Sequence, residues 1–161
     1  MPPRALFNNG RDIPLFAAGH GNLAGTPAVI SEASVSAARL AMRTQTGIGG
    51  ERLGMQPRYL VVGPALETVA EKFLATTTGE VNPFAGQLTL MVEPRITGSG
   101  WYLFAAPGQM ATFELAHLAG VSGPVISMRD GWTTLDREFR VVLDFGVGVL
   151  DHRGAFRNAG V

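Results

Sequence analysis

The chain has 161 residues, 46% of them hydrophobic and 16% charged, with thirteen basic side chains balancing thirteen acidic ones. That length suits one domain with a real core; the balance excludes a strongly basic nucleic-acid footprint, and the absence of cysteine excludes disulfides and thiolate metal sites. A surface so poor in charge is of the kind that neighbouring subunits cover, and no apolar run approaches the ~20 residues of a membrane span.

Residues 1–27 read as an extended arm or loop. Asn8-Asn9-Gly10 and Gly19-His20-Gly21-Asn22 are turn signals, Pro14 and Pro27 interrupt regular structure, and Leu6-Phe7 and Leu15-Phe16 are apolar anchors in need of a surface. Gly19, Gly21 and Gly25 follow no strand and match neither phosphate-loop spacing, so they carry no nucleotide reading. Ser31 or Ser34 can cap a helix running to about Thr46. Val35, Ala38 and Met42 share one face of it, with Ile30, Ala33, Ala37 and Leu40 beside them. Arg39 and Arg43 form a small positive stripe, expected to meet solvent or another subunit.

After a glycine-rich excursion (Gly47, Gly49, Gly50, Gly54), the stretch from Pro57 to Thr77 predicts the nucleus of a mixed fold. Tyr59-Leu60-Val61-Val62 is aromatic and β-branched, as a buried strand requires. Gly63-Pro64 breaks it, and Pro64 suits the first turn of a helix. Leu66, Val69, Ala70, Phe73 and Leu74 then recur at helical spacing. Asn82-Pro83 reads as a turn, Leu88 to Glu93 as a strand, Thr97-Gly98-Ser99-Gly100 as a hairpin or loop tip, and Trp101 to Phe104 as the return strand. The last third predicts strands over Thr112 to Leu118, Val125 to Arg129 and Glu138 to Phe145, with Gly146 to Val149 continuing the last. Asp130-Gly131 is a turn dipeptide.

Little in the sequence points to chemistry. His20, His117 and His152 have no metal-ligand spacing. Asp151 and His152, taken as neighbours on a strand, point to opposite faces. The GxSxG elbow of a hydrolase is missing, and Ser99 lies between two glycines of a flexible tip. His20 and Asn22 fit the hydrogen-bonding of a turn better than a catalytic loop. Glu67 and Glu71 fall on the exposed face of the central helix. The residues therefore predict a soluble, cytoplasmic-type protein that is no enzyme and holds no metal, nucleotide or cofactor.

The order of segments resembles the carboxy-terminal portion of tailed-phage major capsid proteins, specifically the Mu-like major head subunit, a family also found fused to prohead proteases. The resemblance is carried by Leu15 to Gly25 (LFAAGHGNLAG), Ser34 to Gly47 (SVSAARLAMRTQTG) and Pro57 to Leu74 (PRYLVVGPALETVAEKFL). It continues through Asn82 to Ile96 (NPFAGQLTLMVEPRI), Trp101 to Pro107 (WYLFAAP) and Phe139 to Asn158 (FRVVLDFGVGVLDHRGAFRN). It covers nearly the whole chain, and its specificity lies in order and spacing rather than in any catalytic signature.

That resemblance implies an α+β phage capsid fold: an axial-domain sheet flanked by helices over residues 28–161, with terminal strands belonging to or returning past the peripheral domain. It implies a structural subunit of an icosahedral phage or prophage head, acting by self-assembly in the virion after synthesis in the bacterial cytoplasm. Its partners would be other copies of the capsid subunit, with scaffold, protease and portal in the full-length protein, no membrane and at most weak contact with packaged DNA. The resemblance makes Asn82 and Pro83, and the tip at Thr97, Gly98, Ser99 and Gly100, candidate inter-subunit contacts. Complete members carry an arm, an extended hairpin and a spine helix before the matched region, so the chain is expected to be a carboxy-terminal fragment. The rivals are a small serine hydrolase using Ser99 or His20, and a stand-alone binding module on the same fold.

Overall fold

The first helix starts where the sequence supplies a hydroxyl. In the computed structural model, which describes residues 14–75, 83–131, 133 and 135–161, Ser31 caps α1 (Glu32–Arg43) through a reciprocal box with Ser34. The Ser31 Oγ accepts from the Ser34 N–H at 3.3 Å, and the Ser34 Oγ accepts from the Ser31 N–H at 3.0 Å. Val35, Ala38 and Met42 are buried, whereas Leu40 is 63% exposed. The helix stops short of the expected Thr46 because Thr46 leaves the helical path to bridge Arg52.

The remaining elements are β1 (Pro57–Val62), α2 (Glu67–Leu74), β2 (Thr89–Val92), β3 (Trp101–Ala105), β4 (Phe113–His117), β5 (Val125–Asp130), β6 (Arg137–Val142), β7 (Phe145–Val149) and β8 (Ala155–Asn158). Pro64 opens a short 3₁₀ turn that leads into α2, as its fixed φ and missing N–H allow. The chain divides into two units, one of Met1–Thr112 with Val149–Val161 and one of Phe113–Gly148.

In the first unit a four-stranded sheet has the order β2-β1-β3-β8. β2 runs parallel to β1, β3 antiparallel to β1, and β8 antiparallel to β3. The Thr97–Gly100 segment is thus a loop tip and not a hairpin: β2 and β3 flank opposite edges of β1, and the chain crosses between them. Leu60, Val62, Trp101, Leu103 and Phe156 bury one face of the sheet together with Val35, Ala38 and Met42 of α1 and Ala70 of α2. Burying several such side chains supplies about 1.5–3 kcal/mol each. On the other face Tyr102 and Phe104 receive Phe16, with ring centroids at 5.5 and 6.5 Å. Leu23 bridges Arg157 in parallel, so residues 22–24 lengthen the sheet beside β8.

Among its described residues the second unit pairs its strands two by two. β5 and β6 form an antiparallel hairpin with Val125 opposite Val142 and Asp130 opposite Arg137, and β4 pairs with β7. The strand expected over Glu138 to Val149 is divided at Leu143-Asp144, because the chain there leaves β5 and takes β4 as its partner. With two α-helices and several sheets among the described residues, the protein is α+β, compatible with a phage capsid fold. Among the described residues no helix is long and apolar enough to cross a membrane.

Candidate functional site

The tip between β2 and β3 is built from a charged fork and two glycine contacts. Glu93 ends β2 with its N–H on the Val62 carbonyl at 2.9 Å, and its own carbonyl accepts from Ile96 at 3.0 Å. The Glu93 carboxylate takes Arg95 Nε at 2.6 Å and Nη2 at 3.1 Å, and also accepts from the Arg95 backbone N–H at 3.1 Å. This bidentate pairing fixes the turn that starts the loop. The hydrogen bonds from Arg95 hold the Glu93 carboxyl well below its usual range, at about 2.

Close packing locks the far end of the loop. A Cβ on Gly160, whose φ is +70°, would overlap the Ser99 carbonyl, and one on Gly63 would overlap the Ile96 carbonyl. Both positions therefore demand glycine, Gly160 for its left-handed backbone as well. Gly160 N–H donates to Asn158 Oδ1 at 2.9 Å, which also accepts from Ala28 N–H at 2.9 Å. Thr97 and Gly98 are exposed at the tip, whereas Ser99 and Gly100 are half-buried.

The other predicted contact residues lie elsewhere. Pro83 is half-buried in the turn that feeds the first residue of β2, and Thr97–Gly100 follows the last, so the two sit at opposite ends of that strand. Phe84, next to Pro83, is a core residue packed on Phe73 at 5.5 Å and beneath the Arg39 guanidinium at 4.6 Å. Arg39 of the predicted stripe thus covers an aromatic ring. Asn82 lies outside the described residues.

A second polar cluster joins the segment after Pro14 to the end of the chain. Asn22 is fully buried. Its Nδ2 donates to the carbonyls of Leu15 at 2.8 Å and His152 at 3.2 Å, and its Oδ1 accepts from Ala17 N–H at 3.1 Å. His20 Nδ1 lies 3.1 Å from the same Leu15 carbonyl. A carbonyl only accepts, so Nδ1 carries a proton toward it, while the buried Nε2 has no hydrogen-bond partner. The His20 ring stacks on His152 at 3.9 Å between centroids.

The Asp151–His152 pair departs from the sequence reading. These residues lie in the turn before β8 rather than on a strand, and Asp151 Oδ1 is 3.9 Å from His152 Nδ1. Asp151 also holds Arg153 through a 2.8 Å ion pair, and Arg153 Nε donates to the Thr46 carbonyl at 2.9 Å. Burial, then the His20 charge, lowers the His152 pKa; Asp151 acts in the opposite sense and Arg153 lowers it further.

This cluster binds chain segments together. Ser99 and His20, the pair considered for a hydrolase, sit in separate surroundings: Ser99 against Gly160, His20 against Leu15 and His152. Among the described residues no group of three or more His, Asp or Glu is placed to hold a metal ion. The Asn22 hub was half-legible, since the turn signal was clear but its partner His152 lies far along the chain.

A family model described as "Phage capsid protein" matches residues 5–158. The search of the curated proteins finds no match.

Proposed function

The chain belongs to the phage capsid protein family, and from that membership we propose that it is a Mu-like head subunit that builds a phage or prophage shell by self-assembly. The observation that carries this reading is the match over nearly the whole chain, which includes both structural units. The family is one of structural proteins, whose place is the virion and whose partners are other copies of the subunit. The site geometry agrees with a structural role: the polar clusters hold chain segments in place, and the tip exposes Thr97 and Gly98 while Ser99 packs against Gly160.

In this reading the sheet unit is the axial domain, and its Thr97, Gly98, Ser99 and Gly100 tip contacts neighbouring subunits, with Asn82 and Pro83 forming a separate contact. Scaffold, protease and portal are further partners, and contact with packaged DNA is weak because the chain has no net charge. Shell contacts of this kind are individually modest and gain strength by repetition.

The test is particle mass by light scattering and sedimentation across a concentration series at low and high salt, with electron microscopy of the heaviest species. Rings or closed particles are expected. A chain that yields neither, alone or when co-expressed with the other head proteins of its genome, refutes the reading.

A further inference from the structure

We propose that the apolar face of the β5–β6 hairpin, formed by Ile126, Met128, Phe139 and Val141, is a docking surface for a second copy of this chain. This rests on the self-assembly reading above and adds to it the place of one contact. The register puts Ile126 opposite Val141 and Met128 opposite Phe139. Side chains of directly opposed residues emerge on the same side of the ribbon, and alternate residues share a face. The four apolar side chains therefore form one continuous face, each 64–66% exposed.

The reverse face begins with an apolar pair, Val125 opposite Val142, and is polar from there on. Ser127 is opposite Arg140, and Arg129 is opposite Glu138, with a 2.6 Å hydrogen bond from Arg129 Nε to the Glu138 carboxylate. A ribbon that is apolar along one side and mostly polar on the other is patterned for burial of the apolar side. Two strands alone are marginal in water. Among the described residues, moreover, none of the buried hydrophobic side chains comes from Phe113–Gly148. Among its described residues this unit has no buried hydrophobic core, so a surface laid against the apolar face would add to its stability.

Size and charge point to a like partner. Four side chains of this kind expose on the order of 400 Å², the size of a functional patch and about half of the ~800 Å² per partner in a stable two-body complex. Such a face is too small to sustain a tight pair by itself, and it suits a modest contact that gains strength when many identical subunits repeat it. Asp130 and Arg137, opposed at the end of the same face and paired at 3.3 Å, leave its rim neutral. Two copies meeting face to face across a two-fold axis therefore bring apolar surface to apolar surface without like-charge repulsion, and each acid can reach the other copy's arginine.

The absence of cysteine makes the test clean. Phe139→Cys places one thiol on the apolar face, Arg140→Cys one on the charged face, and Ile48→Cys one on an exposed loop of the other unit, each treated with a short bis-maleimide. A covalent dimer is expected from Phe139→Cys in at least fivefold excess over the two controls, rising with protein concentration. Separately, Ile126→Thr with Val141→Thr keeps strand propensity while removing apolar surface. It is expected to raise the concentration for half-association at least tenfold without moving the thermal unfolding followed at Trp101.

Equal cross-linking from the three positions, or association unaffected by the threonine pair, overturns the inference while leaving the capsid reading intact. Amides of residues 126–141 that are equally protected from exchange at high dilution and at high concentration also overturn it, since the cover is then intramolecular. A chain that stays monomeric at all concentrations but enters particles on co-expression refutes this contact alone. Failure of both assembly assays refutes the capsid reading as well.

Discussion

Replacing Asn22 by alanine is the most direct perturbation of the first unit. The side chain is fully buried and makes three hydrogen bonds, at 2.8, 3.1 and 3.2 Å, that tie Leu15, Ala17 and His152 together. At about 1 kcal/mol for each net bond, Asn22→Ala is expected to cost roughly 3 kcal/mol. The unpaired Ala17 N–H and the carbonyls of Leu15 and His152 add to this wherever water cannot reach them. With a urea slope of about 2 kcal/mol/M, the midpoint falls by roughly 1.5 M. The assay is urea unfolding followed by Trp101 fluorescence in a Trp132→Phe background, so that one indole reports. Asn22→Asp keeps the acceptor for Ala17 but turns an oxygen toward two carbonyls. Its carboxyl then holds its proton more tightly in the folded chain than in the unfolded one, so this variant regains stability as the pH falls. A midpoint shift under about 0.3 M for Asn22→Ala, or an Asn22→Asp variant whose deficit is the same at pH 4 and pH 8, refutes the hub.

Gly160→Ala forces a Cβ onto the Ser99 carbonyl at a φ of +70°, so a loss of about 1–3 kcal/mol is expected, with amide chemical-shift changes concentrated at residues 97–100. His152 has its pKa held below the ordinary 6.5 by burial and then by His20. The unfolded chain therefore takes up the proton first, and stability is full above that pH and lost as the pH falls through the window below it. His152→Gln is expected to flatten this dependence between pH 7 and pH 5, and identical pH profiles for the two proteins count against the assignment. The Glu93 carboxyl, lowered to about 2 from its ordinary 4.5 chiefly by the Arg95 side-chain hydrogen bond, keeps its pairing until very acid pH. Carboxyl carbon titration by NMR is expected to show this, with the midpoint moving back toward 4.5 in Arg95→Ala.

The sequence was most readable where one segment contains its own reasons. Tyr59 to Leu74 declared a strand, a break and an amphipathic helix, and Ser31 with Ser34 declared a cap, because each signal is local. Neighbour relations were less legible. The residues between β2 and β3 allow either a hairpin or a crossing loop, and the choice is made by β1, which takes both strands as partners. The break at Leu143-Asp144 was hidden for the same reason, since only the existence of β4 as an alternative partner explains it. The His20–His152 stack joins two turns from opposite ends of the chain, and adjacency of that kind leaves no trace in spacing. The reading of Asp151 and His152 failed because it assumed a strand where a turn occurs. As for the tip, its position was visible in Thr97-Gly98-Ser99-Gly100, but its close packing depends on Gly63 and Gly160, two glycines that are unremarkable until the backbone of the loop is laid against them.

The sheet unit is assembled from two separate stretches of chain, and the second unit is spliced into it between β3 and β8. Topologically the spliced piece is a detour whose two ends are held together by strands belonging to its host. The entropy of closing such a detour grows only as the logarithm of its length. Exchanging about 36 residues for a linker of about 6 alters it by roughly 1.6 kcal/mol. The host fold is therefore almost indifferent to what the detour contains. Segments can be lengthened, shortened or exchanged there at little thermodynamic risk, so this junction is a natural place for related chains to diverge.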